Sequence, residues 1–280
     1  MKRLNIFLLL IFLCSCAFTH AQKNADSLAF CDFRDYAIKE KITEKKTGER
    51  IMAIANFFLE KPYVASTLET DGPERLQINL QELDCTTFVE TVLALHNVLK
   101  EINPDFDAYK RILTSIRYRN GIINGYPSRL HYTTDWLLDN QRKGYINLVL
   151  LNCSSDTLNL NLNFMSTHPQ YYPALKNTPA YIEEMFKIEN LLNQQIINYI
   201  PKEKLTDKSS NIHTGDIIAI TTSMKGLDFS HLGFAFRNHD TVYLLHASSI
   251  SKKIKISTQS LKEYLLAINK DTGIVIARPQ

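Results

Sequence analysis

The 280-residue chain has little of several features that would define a protein class. It has five cysteines and no CxxC pair, so a zinc ribbon or a thioredoxin-like redox centre has little support. Basic residues exceed acidic ones by only three, and Lys2 and Arg3 supply two of that excess. Because no basic stripe remains, nucleic acid is not expected as the main partner. The composition also gives no sign of disorder, a coiled coil or a fibre.

A strongly apolar run occurs only at the N-terminus. Residues 1–21 combine a basic start, an apolar run from Ile6 to Leu13 and Thr19-His20-Ala21 at the end, which is typical of a secretory signal peptide. The run is short for a bilayer, and no later stretch is apolar enough for an integral membrane segment. The segment Leu13-Cys14-Ser15-Cys16 loosely matches a lipid-attachment motif, so a lipoprotein signal is a second interpretation. We expect an exported protein, periplasmic or extracellular, either soluble or anchored through Cys16.

Soluble processing would leave three cysteines, Cys31, Cys85 and Cys153. Because three is odd, at least one thiol stays unpaired in a monomer, which is the state we expect. A Cys31–Cys153 disulfide is compatible with an oxidising compartment, but the sequence does not establish it.

Helical patterns dominate the first half of the chain and strand patterns the last third. Residues 22–46 are polar and mixed, which predicts a short lead-in with some helix. Apolar spacing predicts helices over 48–60, 85–100, 109–119, 179–199 and 260–268, and strands over 76–80, 156–164, 216–221, 231–236, 242–246 and 273–278. This order is typical of an α+β fold in which helices pack against one antiparallel sheet.

The helix predicted after residue 84 begins at a cysteine. Asp84 is a good N-cap, so Cys85 would be the first helical residue, followed by one apolar face. Free backbone N–H groups and the positive end of the helix dipole favour a thiolate there and can hold an oxyanion. A cysteine at a helix start is more often a small packing residue, so this position alone does not establish a nucleophile.

Two histidines near a predicted hairpin give the cysteine a base. If Asn238-His239 is a two-residue loop, His231 lies directly opposite His246, with Cβ atoms roughly 5 Å apart on one face. A three-residue loop would place them diagonally. A lone strand histidine is usually a core residue, but two in register can act as base and orienting residue. We assign His231 as the base for Cys85 and His246 as the residue that orients it.

These residues resemble a known family. Asp84-Cys85-Thr86 resembles the nucleophile motif of the NlpC-like cell-wall cysteine peptidases, a papain-like superfamily, and Pro62-Tyr63 resembles their Pro-Tyr element. Gly215-Asp216 resembles the family's Gly-Asp, and Ser230-His231-Leu232-Gly233 its base-bearing segment. His246 falls where the family places its third polar residue. The usual glycines after Pro-Tyr are absent, which fits a secreted amidase branch.

The resemblance implies a papain-like α+β fold, with N-terminal helices packed on a C-terminal antiparallel sheet or half-barrel. It implies one catalytic domain over 22–280 with an insertion at about 104–210. The implied substrate is peptidoglycan or soluble muropeptides, cut between N-acetylmuramic acid and L-alanine through a cysteine thioester, without metal or cofactor. Tyr63 and the Cys85 N–H would stabilise the oxyanion, with Ser230 beside them.

Polar and aromatic groups within the insertion are candidates for sugar or peptide binding. Trp136 could stack on a sugar ring and Arg129 could meet a peptide carboxylate. The remaining candidates are His131, Tyr132, Asp135, Thr167 and His168. The plainer interpretation is that the aromatic residues form the insertion core and the polar groups cap turns.

Three other functions remain open from the sequence. The first keeps the mechanism and moves the cut to the bond between γ-D-glutamate and diaminopimelate. The second is a non-catalytic cell-wall or glycan-binding protein, in which the insertion would matter and Cys85 would not. The third is an acyltransferase with the same triad, in which an amine replaces water.

Overall fold

The computed structural model describes residues 25–70, 72–149, 155–206 and 211–280. Within them, the helices are α1 (25–39), α2 (Thr47–Asn56), α3 (Cys85–Val98), α4 (Phe106–Arg117), α5 (Thr133–Arg142), α6 (Phe164–Thr167), α7 (Pro173–Asn177), α8 (Pro179–Leu192) and α9 (Leu261–Leu266). The strands are β1 (Ile146–Leu148), β2 (Asp156–Leu158), β3 (Ile197–Pro201), β4 (Ile217–Thr222), β5 (Phe229–Asn238), β6 (Thr241–Ser248), β7 (Lys253–Ser260) and β8 (Asp271–Pro279).

The strands form one antiparallel sheet in the order β2-β3-β8-β4-β5-β6-β7, and β1 pairs with β8 beside this path. Its centre, from β8 to β6, comes from the C-terminal third of the chain. The α+β class predicted from the order of helical and strand patterns is therefore confirmed.

Helix α3 joins the helical layer to the sheet. Its Phe88 ring packs edge-on against Phe58 on one side and Phe234 of β5 on the other, with centroid distances of 6.3 and 5.6 Å. Phe88 is completely buried, and truncation of such a side chain to alanine typically costs about 3–5 kcal/mol. This packing fixes the N-terminus of α3, and with it Cys85, against the strand that carries His231.

Small residues let the helical layer and the sheet approach closely. Gly215 adopts a φ of 88° at the turn into β4, and a Cβ there would lie 2.6 Å from the backbone of Gly48 in α2. Asp216 beside it accepts a 2.8 Å hydrogen bond from Arg278 Nε. The Gly215-Asp216 pair therefore ties α2, β4 and β8 together.

The opposite face of the sheet has its own apolar cover. Alternate residues of the central strands, such as Ile218 and Leu244, pack there against Leu261 and Leu265 of α9. Alternation along each strand thus serves two cores, one under the helices and one under α9.

The stretch from 104 to 210 has two parts. Helices α4 and α5 pack with α3 in the main core, and β1 and β3 extend the sheet. A separate apolar cluster, which includes Tyr126, Tyr132, Met165 and Met185, holds α6, α7 and α8 together. This second cluster lies beside the site described below.

Several local predictions are wrong. Residues 76–80 form no strand, and the strand predicted over 156–164 is limited to Asp156–Leu158. The helix predicted over 179–199 ends at Leu192, because the following isoleucines and tyrosine pair in β3 with β2 and β8. The sequence interpretation also missed β7, whose apolar residues are few. In each case sheet pairing, which local spacing does not contain, decided the outcome.

The N-terminal lead-in is more helical than predicted. Helix α1 buries Phe30 and Phe33 in the main core, and Asp26 accepts a 2.9 Å hydrogen bond from the Leu80 N–H. Residues 1–21 and Cys153 lie outside the described residues, so the predicted signal and disulfide stay predictions. In the described part of the chain, no helix is both long and apolar enough to cross a membrane.

Candidate active site

Cys85 is the first residue of α3, as the N-cap pattern predicts. The Asp84 carboxylate accepts a 2.8 Å hydrogen bond from the Thr87 N–H, and the Thr87 hydroxyl accepts one from the Asp84 N–H at 2.9 Å. This capping box fixes the first turn of the helix. The Cys85 thiol is half-buried beside the backbone of Leu232.

The environment of Cys85 opposes the thiolate expected at a helix N-terminus. Burial, and secondarily the Asp84 carboxylate, raise the pKa of the thiol to about 11. Both effects favour the neutral thiol in the free protein, and the thiolate expected from the helix dipole stays a prediction. The same aspartate that caps the helix opposes ionisation of the thiol.

His231 and His246 meet as predicted, but through a different register. The hairpin loop is His239-Asp240, one residue later than expected, so His231 and His246 are diagonal neighbours rather than direct partners. Because the pairing is displaced by two residues, both side chains stay on the same face. The rings are perpendicular, and His231 Nε2 lies 2.6 Å from His246 Nδ1.

Gly233 makes the contact between the histidines possible. A Cβ at this position would lie 2.8 Å from the Leu245 carbonyl oxygen, closer than real Cβ atoms approach, and in tight contact with the His246 Cβ at 3.0 Å. On the other side of His231, a bulge between β4 and β5 leaves Ser230 without a register partner. A bulge of this kind redirects the neighbouring side chain.

Both histidines are held neutral. Burial, then His246 and Lys270, lower the pKa of His231 to about 3; burial, then Lys255, lower that of His246 to about 4. One ring must therefore donate and the other accept in the 2.6 Å hydrogen bond. If His231 donates from Nε2, its Nδ1 lone pair is the one available for the thiol proton.

Tyr264 of α9 is a site residue that the sequence interpretation missed. Its ring stacks on His231 at a centroid distance of 6.4 Å and meets His246 edge-on at 5.4 Å. Burial, then the charges of Asp271 and Cys85, raise the pKa of its phenol to about 12. A short helix after a polar strand gave no signal of this position, because it reaches the site only through the packing of α9 on the sheet.

Cys85 and His231 open into the same cavity, of about 170 Å³, which we call the cysteine cavity. Ser230 and Leu232 lie beside His231, and the other wall includes His131, Tyr132, Met165 and Tyr172 from the 104–210 stretch. Of the predicted binding residues in that stretch, the structure therefore brings His131 and Tyr132 to the cysteine.

Hydrogen bonds fix the orientation of this wall. His131 Nε2 lies 2.9 Å from the Tyr126 carbonyl oxygen, and burial lowers the pKa of His131 well below its ordinary value. The Tyr132 hydroxyl donates to Glu189 Oε1 at 2.7 Å. Both residues thus present ring surface to the cavity while their polar atoms bind to the protein.

Tyr63 and Ser230 complete the surroundings of the thiol. Burial, then the charges of Cys85 and Asp84, raise the pKa of Tyr63, so its phenol stays protonated and able to donate. Backbone pairing of Tyr63 with Leu83, two residues before the cysteine, places it there. Ser230 donates a 2.7 Å hydrogen bond to Asp271 Oδ1.

Three predicted binding residues are internal, which corrects their assignment. Arg129 is 5% exposed and lies 2.7 Å from Glu69, so its guanidinium is not free for a peptide carboxylate. Asp135 pairs with Arg119 at 2.6 Å, outside the cysteine cavity. Trp136 is 2% exposed in the main core, where no sugar can stack on it. The plainer interpretation of these three residues is the right one.

Thr167 and His168 are at the end of α6, near the cysteine cavity but not in its wall. The His168 ring stacks on Phe164 at 4.5 Å, and Thr167 Oγ1 lies 2.9 Å from His168 Nδ1. Their expected contact with substrate stays a prediction.

A second concavity, of about 450 Å³, lies on the other side of His231. We call it the lysine groove, because Lys255 and Lys270 are its basic lining residues. His231 and Ser230 line both the groove and the cysteine cavity, whereas His246, Tyr264 and Asp271 line the groove alone. The side chain of the histidine is therefore part of the wall of both concavities.

Comparison with solved structures gives this fold a context. The chain is 43% identical to a crystallised N-acetylmuramoyl-L-alanine amidase from Bacteroides uniformis, with a TM-score of 0.80 over 84% of this chain and 100% of that one. A Bacteroides fragilis protein, provisionally named a xylanase, is 39% identical with a TM-score of 0.74 over 81% and 99%. A Legionella pneumophila protein shares the fold at 21% identity, with a TM-score of 0.69 over 93% and 96%.

A search of curated proteins found no match. The family model described as AmiA-like, N-acetylmuramoyl-L-alanine amidase-like, matches residues 53–274. This match spans α3, the hairpin of β5 and β6 and the stretch between them, so it includes Cys85, His231 and His246. The chain belongs to the AmiA-like family of N-acetylmuramoyl-L-alanine amidase-like proteins.

Proposed function

We propose that this protein is a cysteine-dependent N-acetylmuramoyl-L-alanine amidase acting on peptidoglycan or soluble muropeptides. The observation that carries the proposal is the shared cavity of Cys85 and His231, with His246 bonded to His231 at 2.6 Å. A nucleophile, a base and a group that orients the base are the parts that acyl transfer requires. The family supports the amide bond between muramic acid and L-alanine as the one that is cut.

The chemistry follows from the neutral state of the site. Cys85 Sγ attacks the lactyl carbonyl carbon while His231 Nδ1 takes the thiol proton, so a separated ion pair need not exist before substrate arrives. The Cys85 N–H and the Tyr63 phenol donate to the oxyanion that forms. Collapse breaks the C–N bond, and the alanine nitrogen leaves with the proton from His231.

Hydrolysis of the thioester uses the same groups. His231 takes a proton from water as its oxygen attacks the acyl carbon, and the Cys85 sulfur leaves as the carbon–sulfur bond breaks. Breaking of this bond releases the carboxyl group of muramic acid. The sulfur then recovers a proton from His231. His246 keeps the His231 ring oriented through both steps and accepts its Nε2–H bond.

The wider expectations enter the same proposal. A cysteine at the start of a helix packed on an antiparallel sheet that bears the base is the arrangement expected of a papain-like, NlpC-related enzyme. We propose an exported, monomeric catalytic domain over 22–280, in which the 104–210 stretch supplies one wall of the substrate cavity.

The deciding experiment is digestion of a defined disaccharide-peptide by wild type and Cys85→Ala, with products identified by mass spectrometry. Free disaccharide plus intact stem peptide from wild type, and neither from the variant, are expected. A shortened peptide still joined to sugar would show the γ-D-glutamyl-diaminopimelate endopeptidase instead. Binding without turnover by either protein would indicate a glycan-binding function, and undiminished turnover by Cys85→Ala would exclude the nucleophile.

The name of the Bacteroides fragilis relative suggests a second digestion experiment, in which xylan is the substrate. Glycosidases use two carboxyl groups that flank the bond. The carboxylates lining the two concavities, Asp228 and Asp271, accept hydrogen bonds from the Thr134 N–H at 2.7 Å and the Ser230 hydroxyl at 2.7 Å. Their engagement within the protein favours the amidase, and no sugar release from xylan is expected.

A further inference from the structure

The chemistry on the two sides of His231 differs. The cysteine cavity presents aromatic rings, a methionine and the Asp228 carboxylate, which accepts a hydrogen bond from the Thr134 N–H; the polar atoms His131 Nε2 and Tyr132 Oη are bonded to the protein. The lysine groove presents two ammonium groups, Lys255 and Lys270, and one carboxylate, Asp271, which accepts a hydrogen bond from the Ser230 hydroxyl; serine and threonine hydroxyls complete its lining. Across the described residues, neither lysine forms an ion pair.

The two lysines approach the histidines from different elements. Lys255 on β7 is the register partner of His246 on β6, and Lys270 precedes β8, where Asp271 holds Ser230. Their charges are among the causes that lower the pKa of the two histidines. An anion bound between them would offset both charges beside the catalytic base.

We infer that the substrate lies across His231, with its sugar in the cysteine cavity and its stem peptide in the lysine groove. In the groove, Lys255 and Lys270 bind the α-carboxylate of the D-glutamate that follows L-alanine. This inference rests on the proposed amidase function. It adds the direction in which the substrate binds and the group that the groove recognises.

The direction follows from the reaction. The acyl part becomes bonded to Cys85 and therefore stays on the side of His231 where Cys85 lies. The leaving alanine nitrogen takes its proton from His231, so the peptide extends beyond that ring. The concavity that adjoins His231 and excludes Cys85 is the lysine groove.

Charge gives the same direction independently. Once its lactyl group is amidated, the N-acetylmuramoyl sugar carries no charge, which suits the cysteine cavity, whose lining residues include aromatic rings and neither lysine nor arginine. The stem peptide is anionic from its second residue onward. Lysine binds a carboxylate through charge-assisted hydrogen bonds, so the groove with two unpaired lysines suits the peptide.

A matched pair of substrates isolates the recognised group. N-acetylmuramoyl-L-alanyl-D-glutamate and N-acetylmuramoyl-L-alanyl-D-isoglutamine differ only in an α-carboxylate against an α-carboxamide. We expect wild type to have a kcat/KM about tenfold higher for the carboxylate, as one charge-assisted contact of about 1.4 kcal/mol would give. Lys255→Met and Lys270→Met should each reduce this ratio, and the double variant should abolish it. Lys255→Arg should retain most of it.

Lys187→Met is the control for loss of one positive charge, since Lys187 is exposed on α8 and lines neither concavity. It should keep the wild-type ratio. Equal rates for the two substrates in wild type, an unchanged ratio in the double variant, or an equal loss on both substrates would overturn the inference while the amidase function stands. No release of peptide from either substrate by wild type would instead overturn the proposed function.

Discussion

Two buried polar clusters of this protein differ in what surrounds their titratable groups. Beneath the 104–210 stretch, the two buried arginines Arg117 and Arg129 form what we call the ion-pair cluster, in which each has partners of opposite sign. Arg117 Nε lies 2.7 Å from Glu90 Oε2, and Arg129 lies 2.7 Å from Glu69 and 3.4 Å from Glu74. At the candidate active site, Cys85, His231 and His246 have no such partner among the residues that the structure describes.

The charges near the active site oppose ionisation. Asp84 disfavours the Cys85 thiolate, and Lys255 and Lys270 disfavour protonated histidines. The ion-pair cluster thus keeps its charges in place, whereas the active site keeps its groups neutral and able to exchange one proton. This difference fits a stabilising role for the first cluster and the proposed proton transfer for the second.

The largest expected effect breaks the chemistry without affecting the fold. Cys85→Ala should lower kcat by at least about 10³-fold, because the thioester can no longer form. The free energy of unfolding should change by less than about 1 kcal/mol, since the substitution removes one half-buried sulfur. Muropeptide turnover and urea unfolding measure the two. Cys31→Ala, at an exposed cysteine, is the control for turnover and should leave it unchanged.

The second prediction lowers the stability of the fold by breaking an ion pair of the ion-pair cluster. Arg117→Met should destabilise the protein by about 3–5 kcal/mol, because it leaves the Glu90 carboxylate buried without its partner. The double variant Glu90→Leu/Arg117→Met should recover most of this loss, since it removes both charges. Urea unfolding measures both proteins. A double variant as unstable as the single one would show that the cluster does not act through uncompensated charge.

The same comparison explains which residues could be predicted from sequence. Cys85 was identifiable because its N-cap and helix face are local, and His231 and His246 because a hairpin links them over a short stretch. Arg129, Asp135 and Trp136 were wrongly assigned to the substrate. Their partners, such as Glu69 for Arg129, lie far away in the sequence, and a residue type gives no sign of whether its charge is already paired.

Much of the fold could also be predicted from local sequence patterns. The central strands from β4 to β6 and β8 were predicted, because each is short, apolar and bounded by turn residues. The register of the hairpin was displaced by two residues, yet His231 and His246 kept a common face because the strand period is two. Tyr264 and the lysine groove depend on how α9 and β7 pack, which no local pattern contains.

The third prediction tests whether His246 acts through His231. His246→Ala should lower kcat by about 10²-fold, with KM little changed, because the His231 ring loses the partner of its 2.6 Å hydrogen bond. His246→Asn should restore part of the rate, because an amide oxygen can accept that bond. Steady-state kinetics of both variants give the values. An alanine variant that raises KM and spares kcat would contradict an orienting role.

The smallest expected effect concerns the free energy of unfolding at acid pH, to which the buried histidines of the candidate active site should contribute. The pKa values of His231 and His246 fall to about 3 and 4 on folding, below the ordinary value of about 6.5. Between those values the unfolded chain binds more protons, so their contribution to stability is complete above pH 6.5 and is lost as pH falls. We expect a loss of about 1–2 kcal/mol per histidine by pH 5, measured by urea unfolding.

The double variant His231→Asn/His246→Asn should lose correspondingly less stability between pH 7 and pH 5 than wild type. An identical loss in both proteins would show that the histidines are not held neutral by their burial.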